Sequence, residues 1–150
     1  MKTFVLLFAL LMGSQMVQAQ KVKIKDDIAT VDGADYLKWV KKNGANEASV
    51  YVPNSDEELI FIRYKNYSDP SKVSKSNPEG KVRWVEVKFL TLDLVCEVDT
   101  RTPKALVKLI YENNLFENGK MTENNVWSFV AKYGTDYSDN RPTEVIIVNE

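Results

Sequence analysis

The positions of the apolar residues between 85 and 98 restrict the fold of this chain more than any other pattern. Apolar residues occupy odd positions from Val85 to Phe89 and even positions from Leu92 to Val98. Because strand residues alternate between two faces, one regular strand cannot keep both sets on the same face. A tight hairpin that places Phe89 opposite Leu92 and Val85 opposite Cys96 would restore a common face, and a β-bulge would do the same. Either arrangement predicts that Cys96 is a buried thiol on the core face.

Further strand signals precede this segment. Lysines alternate with Val22 and Ile24 up to Lys25, and Asp26-Asp27 then marks a two-residue turn into a strand over 28–31. This pattern predicts a hairpin with Val22 opposite Val31 and Ile24 opposite Ala29. Residues 36–41 fit a strand or a helical turn, and we expect a strand because turn-rich segments flank them. Two more strands are predicted over 49–53 and 58–65, of which the second is apolar on both faces and therefore central.

Two amphipathic helices are predicted after the strands, over about 103–114 and 123–133. Thr102 and Thr122 can cap their first turns, and Gly134 suits the end of the second helix. The apolar run at 145–148 predicts a C-terminal strand. Together these elements predict an α+β fold, in which two helices pack on one face of an antiparallel sheet of about six to eight strands.

Residues 1–19 show the order of a cleavable signal peptide. Lys2 is followed by an uncharged apolar run from Phe4 to Met12 and by small residues up to Ala19. The run is much shorter than the ~20 residues of a membrane-spanning helix, and the alternative is a buried N-terminal helix. We therefore expect an exported bacterial protein, periplasmic or extracellular. Residues 20–150 are expected to form one globular domain without a membrane span.

The missing residue types exclude several chemistries. The chain has no histidine and one cysteine, which rules out Ser-His-Asp and Cys-His catalysis, a Cys/His zinc site and an internal disulfide. Basic and acidic residues are interspersed and nearly equal, 20 against 21, which argues against nucleic acid as a partner. Asp136 to Asn140 cluster oxygen ligands but lack the glycine and distal glutamate of a calcium loop. We expect no metal and no cofactor.

The candidate binding residues are aromatic. Tyr67, Tyr51 and Trp84, together with Trp39, fall on faces or loops predicted to be exposed, where aromatic rings favour contacts with sugars, peptides or proteins. Tyr67 lies in a long polar loop predicted over 66–80. A connection of this length is either mobile or functional, and we expect a mobile loop. The alternative for Trp84 is that its ring packs under this loop or under a helix.

These observations leave three functions open. The first is a non-catalytic binding or protein-interaction domain of the bacterial envelope, whose partner is an unknown protein or glycan. The second is a structural or inhibitory envelope protein that uses an exposed strand edge or the long loop against another protein. The third is a glycosidase-like hydrolase, which needs two carboxylates about 5–10 Å apart across a cleft.

Overall fold

A computed structural model describes residues 20–140 of the chain. Within this range seven antiparallel strands form one sheet in which spatial order follows chain order. The strands are β1 Val22–Lys25, β2 Ile28–Val31, β3 Ala34–Lys42, β4 Glu47–Tyr51, β5 Ile60–Ser68, β6 Lys81–Phe89 and β7 Leu94–Val98. The predicted signal peptide at 1–19 and the predicted strand at 145–148 lie outside the described residues.

Two helices follow the sheet, α1 Pro103–Glu112 and α2 Glu123–Tyr133. A small hairpin joins them, made of β8 Phe116–Glu117 and β9 Lys120–Met121. The predicted α+β fold and its number of strands are thus confirmed. In the part of the chain that the structure describes, no helix has the length and apolar character needed to cross a membrane.

The helices pack on one face of the sheet, called here the inner face. Phe129 of α2 meets Phe89 of β6 edge-on, with ring centroids 6.2 Å apart. Trp39 of β3 belongs to the same core with 1% of its surface exposed, so the expectation that it is exposed was wrong. The reason is register: Trp39 pairs with Val50, and Val50 pairs with Ile60, which places all three on the inner face.

The first hairpin has the predicted register. Val22 pairs with Val31 and Ile24 with Ala29. The two turn residues, Asp26 and Asp27, have φ of 50° and 60°, the left-handed values of a type I′ turn, which matches the twist of the strands it joins. Residues 36–41 are strand, as expected, within β3.

The switch of apolar positions is accommodated by a longer loop than predicted. Phe89 pairs with Leu94 and Val85 with Val98, so the expected pairs of Phe89 with Leu92 and Val85 with Cys96 were wrong. Residues 90–92 form a 3₁₀ turn, and Asp93 closes it with a φ of 47°. The conclusion about the common face holds, because the even-numbered residues of β7 still lie on the inner face.

Cys96 is buried on that face as predicted, with 4% of its surface exposed. Burial, with a smaller contribution from the charge of Glu97, raises the pKa of the Cys96 thiol to about 12. The thiolate is the nucleophilic form of cysteine. Cys96 therefore acts as a small apolar core residue and not as a nucleophile.

The polar connection between β5 and β6 is shorter than predicted. Residues 66–68 belong to β5, where Tyr67 pairs with Val82. The remaining turn is closed by a hydrogen bond from Asp69 N to Gly80 O of 2.9 Å, and the Asn77 side chain bonds the backbone of Lys72 and Lys81. A network of backbone hydrogen bonds thus supports the segment that we expected to be mobile.

Candidate functional site

Trp84 lies on the outer face of the sheet but is not exposed. Only 1% of its surface is accessible. Its ring stacks on Tyr137, with centroids 5.7 Å apart and planes 15° apart, and Tyr67 meets it edge-on at 5.6 Å. The predicted exposure of Trp84 was wrong. The alternative of burial was right, although the cover is neither the loop nor a helix.

The cover is the segment that follows α2, residues 135–140, called here the strap. Its first residue joins β7 through a hydrogen bond from Thr135 N to Glu97 O of 2.9 Å. Its last residue reaches β5, where the Tyr67 hydroxyl donates to the backbone carbonyl of Asn140 at 3.3 Å. The strap therefore crosses the outer face from β7 to β5 and passes over Trp84.

Glu97 of β7 anchors the strap. Its carboxylate accepts hydrogen bonds from the backbone N–H of Ser138, at 2.7 Å, from the Ser138 hydroxyl and from the Trp84 side chain. Burial alone would raise the pKa of Glu97, but the hydrogen bonds from Ser138, Trp84 and the Tyr137 backbone outweigh it and lower the pKa. Glu97 is held as a carboxylate because its charged form accepts these bonds.

The three candidate binding residues do not form one site. The structure brings Tyr67 and Trp84 together, whereas Tyr51 lies on β4, two strands away from β6. The Tyr51 ring faces the Lys38 ammonium, 5.2 Å from its centroid. The strap covers Trp84, so the Trp84 ring cannot stack on a sugar unless the strap moves. The geometry therefore gives a glycan no aromatic platform at Trp84.

A groove opens beside the anchored end of the strap. It has a volume of about 430 Å³ and lies between β7, the end of α2 and the strap, within the ~300–1,000 Å³ typical of ligand sites. Its apolar wall contains Val95, Cys96 and Val130. Its lining contains no lysine or arginine. It does contain four carboxylate side chains, those of Glu86, Glu97, Asp136 and Asp139.

These carboxylates do not resemble a glycosidase pair. A general acid needs a raised pKa, whereas the pKa of Glu97 is lowered. Glu86 is paired with cations, since Arg63 lies 3.3 Å and Lys65 4.0 Å from its carboxylate oxygens. Among residues 20–140, no group of three or more acidic or cysteine side chains is placed to hold a metal ion. The groove therefore fits charge-based recognition better than acid–base chemistry.

The first part of β7, up to Cys96, presents a free edge to this groove, whereas Val98 forms a β-bridge with Gly134. Glu97 O accepts a bond from Thr135, so the backbone of Glu97 faces away from β6. Because this direction repeats every second residue, the N–H and carbonyl of Val95 also face the free side. None of the other described residues bonds to them there. The Val95 side chain, on the outer face, is 50% exposed.

Val95 was not among the sequence-predicted site residues. Its surroundings, Leu94 to Cys96, show only a strand, and a strand becomes an edge through the order of the whole sheet. No protein-family model, curated protein or solved structure matches this chain. Its function is therefore inferred from the groove and from the backbone groups that line it.

Proposed function

We propose that this protein is a non-catalytic, exported protein-interaction domain that binds an extended segment of a partner along the free edge of β7. The observation that carries this proposal is the free backbone of Val95 beside an acidic groove. Addition of a strand to an open sheet edge is a recurrent way of recognising a peptide, in which backbone hydrogen bonds supply affinity and side-chain pockets supply specificity.

The composition of the edge supports binding. Proteins usually protect edge strands with lysines, prolines or bulges, because unpaired backbone groups invite other strands. Residues Leu94 to Cys96 carry none of these features. The charged residue of the strand, Glu97, is committed to the strap. An uncovered apolar edge of this kind invites pairing with a strand of another chain.

The groove selects the chemistry of that partner. An extended strand on β7 would lie beside this groove, where Asp136 and Asp139 form no ion pair with another described residue. Glu86 is already paired with Arg63 and Lys65, and Glu97 accepts the hydrogen bonds of the strap. Opposite charges that meet across an interface steer association and exclude wrong partners. We therefore infer a partner segment in which apolar residues alternate with lysine or arginine.

Val95→Pro tests this function with little change to the fold. Proline removes the N–H that faces the free side, and proline is tolerated at edge positions whose N–H does not serve the sheet. A synthetic peptide of alternating lysine and valine is the probe, titrated by calorimetry. We expect the peptide to bind at least about tenfold more weakly. The peptide carbonyl that would accept from the Val95 N–H loses its partner, and an unpaired buried polar group costs about 1–3 kcal/mol.

Val95→Thr is the matched control, because it keeps the N–H and the branched side chain. It should bind like the wild type, and a peptide of alternating glutamate and valine should not bind. Circular dichroism melts of both variants establish that they are folded. Equal binding by the proline and threonine variants would refute recognition through the β7 backbone.

A further inference from the structure

The opposite edge of the sheet, β1, has chemistry complementary to the groove. Its sequence alternates Val22 and Ile24 with Lys23 and Lys25, and Lys21 precedes it. The two apolar side chains are half-buried against the inner-face core, and the lysines are exposed. The sheet therefore ends in a basic edge on one side and in an acidic groove on the other.

The backbone of β1 is also free on its outer side. The two-residue turn makes Lys25 and Ile28 the hydrogen-bonded pair that closes the hairpin. Alternation then turns the N–H and carbonyl groups of Ile24 and Val22 away from β2. Of the described residues, only those of β2 pair with β1 as a strand.

We propose that the segment bound by β7 is β1 of a second copy of this chain. This inference rests on the proposed function and names its partner. The free backbone groups belong to Val95 on the outer face and to Val22 and Ile24 on the inner face, so the two strands meet in parallel, with Lys23 beside Val95. Joined in this way, the two sheets continue as one: Val22 and Ile24 extend the apolar inner face beyond Cys96. Lys23 and Lys25 then lie on the outer face, beside the carboxylates of the groove.

Charge makes the contact directional. Pairing β1 with β1 would bring lysines together, and pairing β7 with β7 would bring the acidic grooves together, so both symmetric contacts are disfavoured. The remaining contact joins two different surfaces. In such a head-to-tail contact, each added copy still presents one free edge to the next copy. Repetition of the contact therefore builds a ring if the last copy meets the first, and an open filament if it does not.

Sedimentation velocity of the purified protein tests this contact. We expect the average mass to rise with protein concentration at low salt and to fall when salt is added, because salt screens charge pairs. The double variant Lys23→Glu/Lys25→Glu should weaken association more than about tenfold, since it places like charges together. The variant Lys75→Glu/Lys104→Glu has the same net charge change at exposed positions outside both edges, and it should associate like the wild type.

Mixing two blocked variants gives the sharper test. Val95→Pro has an intact β1 edge, and Lys23→Glu/Lys25→Glu has an intact β7 edge. Each alone should be monomeric, and an equimolar mixture should form heterodimers and nothing larger. A mixture that stays monomeric, or a lysine variant that associates like the wild type, would overturn the contact.

The same measurements separate this inference from the proposed function. If the protein stays monomeric at every concentration while the lysine–valine peptide binds the wild type and not Val95→Pro, the second copy is wrong as the partner and β7 remains a binding edge. If the peptide fails as well, both proposals fail.

Discussion

Replacing Trp84 with alanine is expected to lower the free energy of unfolding by about 3–5 kcal/mol, the usual loss for a large buried aromatic residue. The ring is almost fully buried between Tyr67 and Tyr137, and its side chain bonds Glu97. Alanine would leave a cavity beneath the strap and one fewer hydrogen bond at its anchor. Urea unfolding at neutral pH, followed by far-ultraviolet circular dichroism, measures the loss.

Trp127 is the matched control for this prediction. Its side chain lies on α2 with 50% of its surface exposed, and its indole makes a hydrogen bond of 3.4 Å to Glu123. Trp127→Ala should change stability by less than about 1 kcal/mol, as exposed substitutions usually do. If the two alanine variants were equally stable, Trp84 would not be the packing centre of the outer face.

Replacing Glu97 with glutamine should release the strap. The variant keeps the size of the side chain but loses the charge, and hydrogen bonds to a charged group contribute about 1.5–3 kcal/mol each before exposure to solvent weakens them. We expect a loss of about 2 kcal/mol near neutral pH. Tryptophan fluorescence should shift to the red, because Trp84 gains access to water. Glu117→Gln, an exposed position on β8, should change neither quantity.

The pH dependence of this loss has a defined sign. The pKa of Glu97 is lowered in the folded protein, so the unfolded chain binds the proton more tightly. The stability that Glu97 contributes is therefore complete above its unfolded pKa of about 4.3. It is lost as the pH falls through the lower folded value. The difference between wild type and Glu97→Gln should shrink below about pH 4, and a difference that grew with acidity would contradict the anchor.

Local sequence patterns predicted most of the strands, because the alternation of apolar and polar residues indicates which side chains face the core. The register of the first hairpin follows from the two-residue turn Asp26-Asp27, because so short a turn fixes which residues of β1 and β2 lie opposite each other. The register after Phe89 could not be read in the same way. A loop of two residues and a loop of four both restore the common face, and the pattern does not distinguish them.

The surroundings of Trp84 could not be predicted from local sequence. Its neighbours in the strand indicate only that the ring leaves the inner face. The strap that covers it begins far along the chain, and Glu97 and Tyr67 hold it there through tertiary contacts. The same holds for Val95, whose position at an edge depends on the order of all seven strands.

Amide hydrogen exchange at Val95, measured by NMR, tests the central claim most directly. In the free protein this amide should exchange much faster than that of Cys96, whose backbone faces β6. Addition of the lysine–valine peptide should slow exchange at Val95 at least about tenfold, because the amide gains a hydrogen-bond partner on its free side. If the peptide binds and the exchange rate at Val95 stays unchanged, recognition does not occur at the free edge of β7.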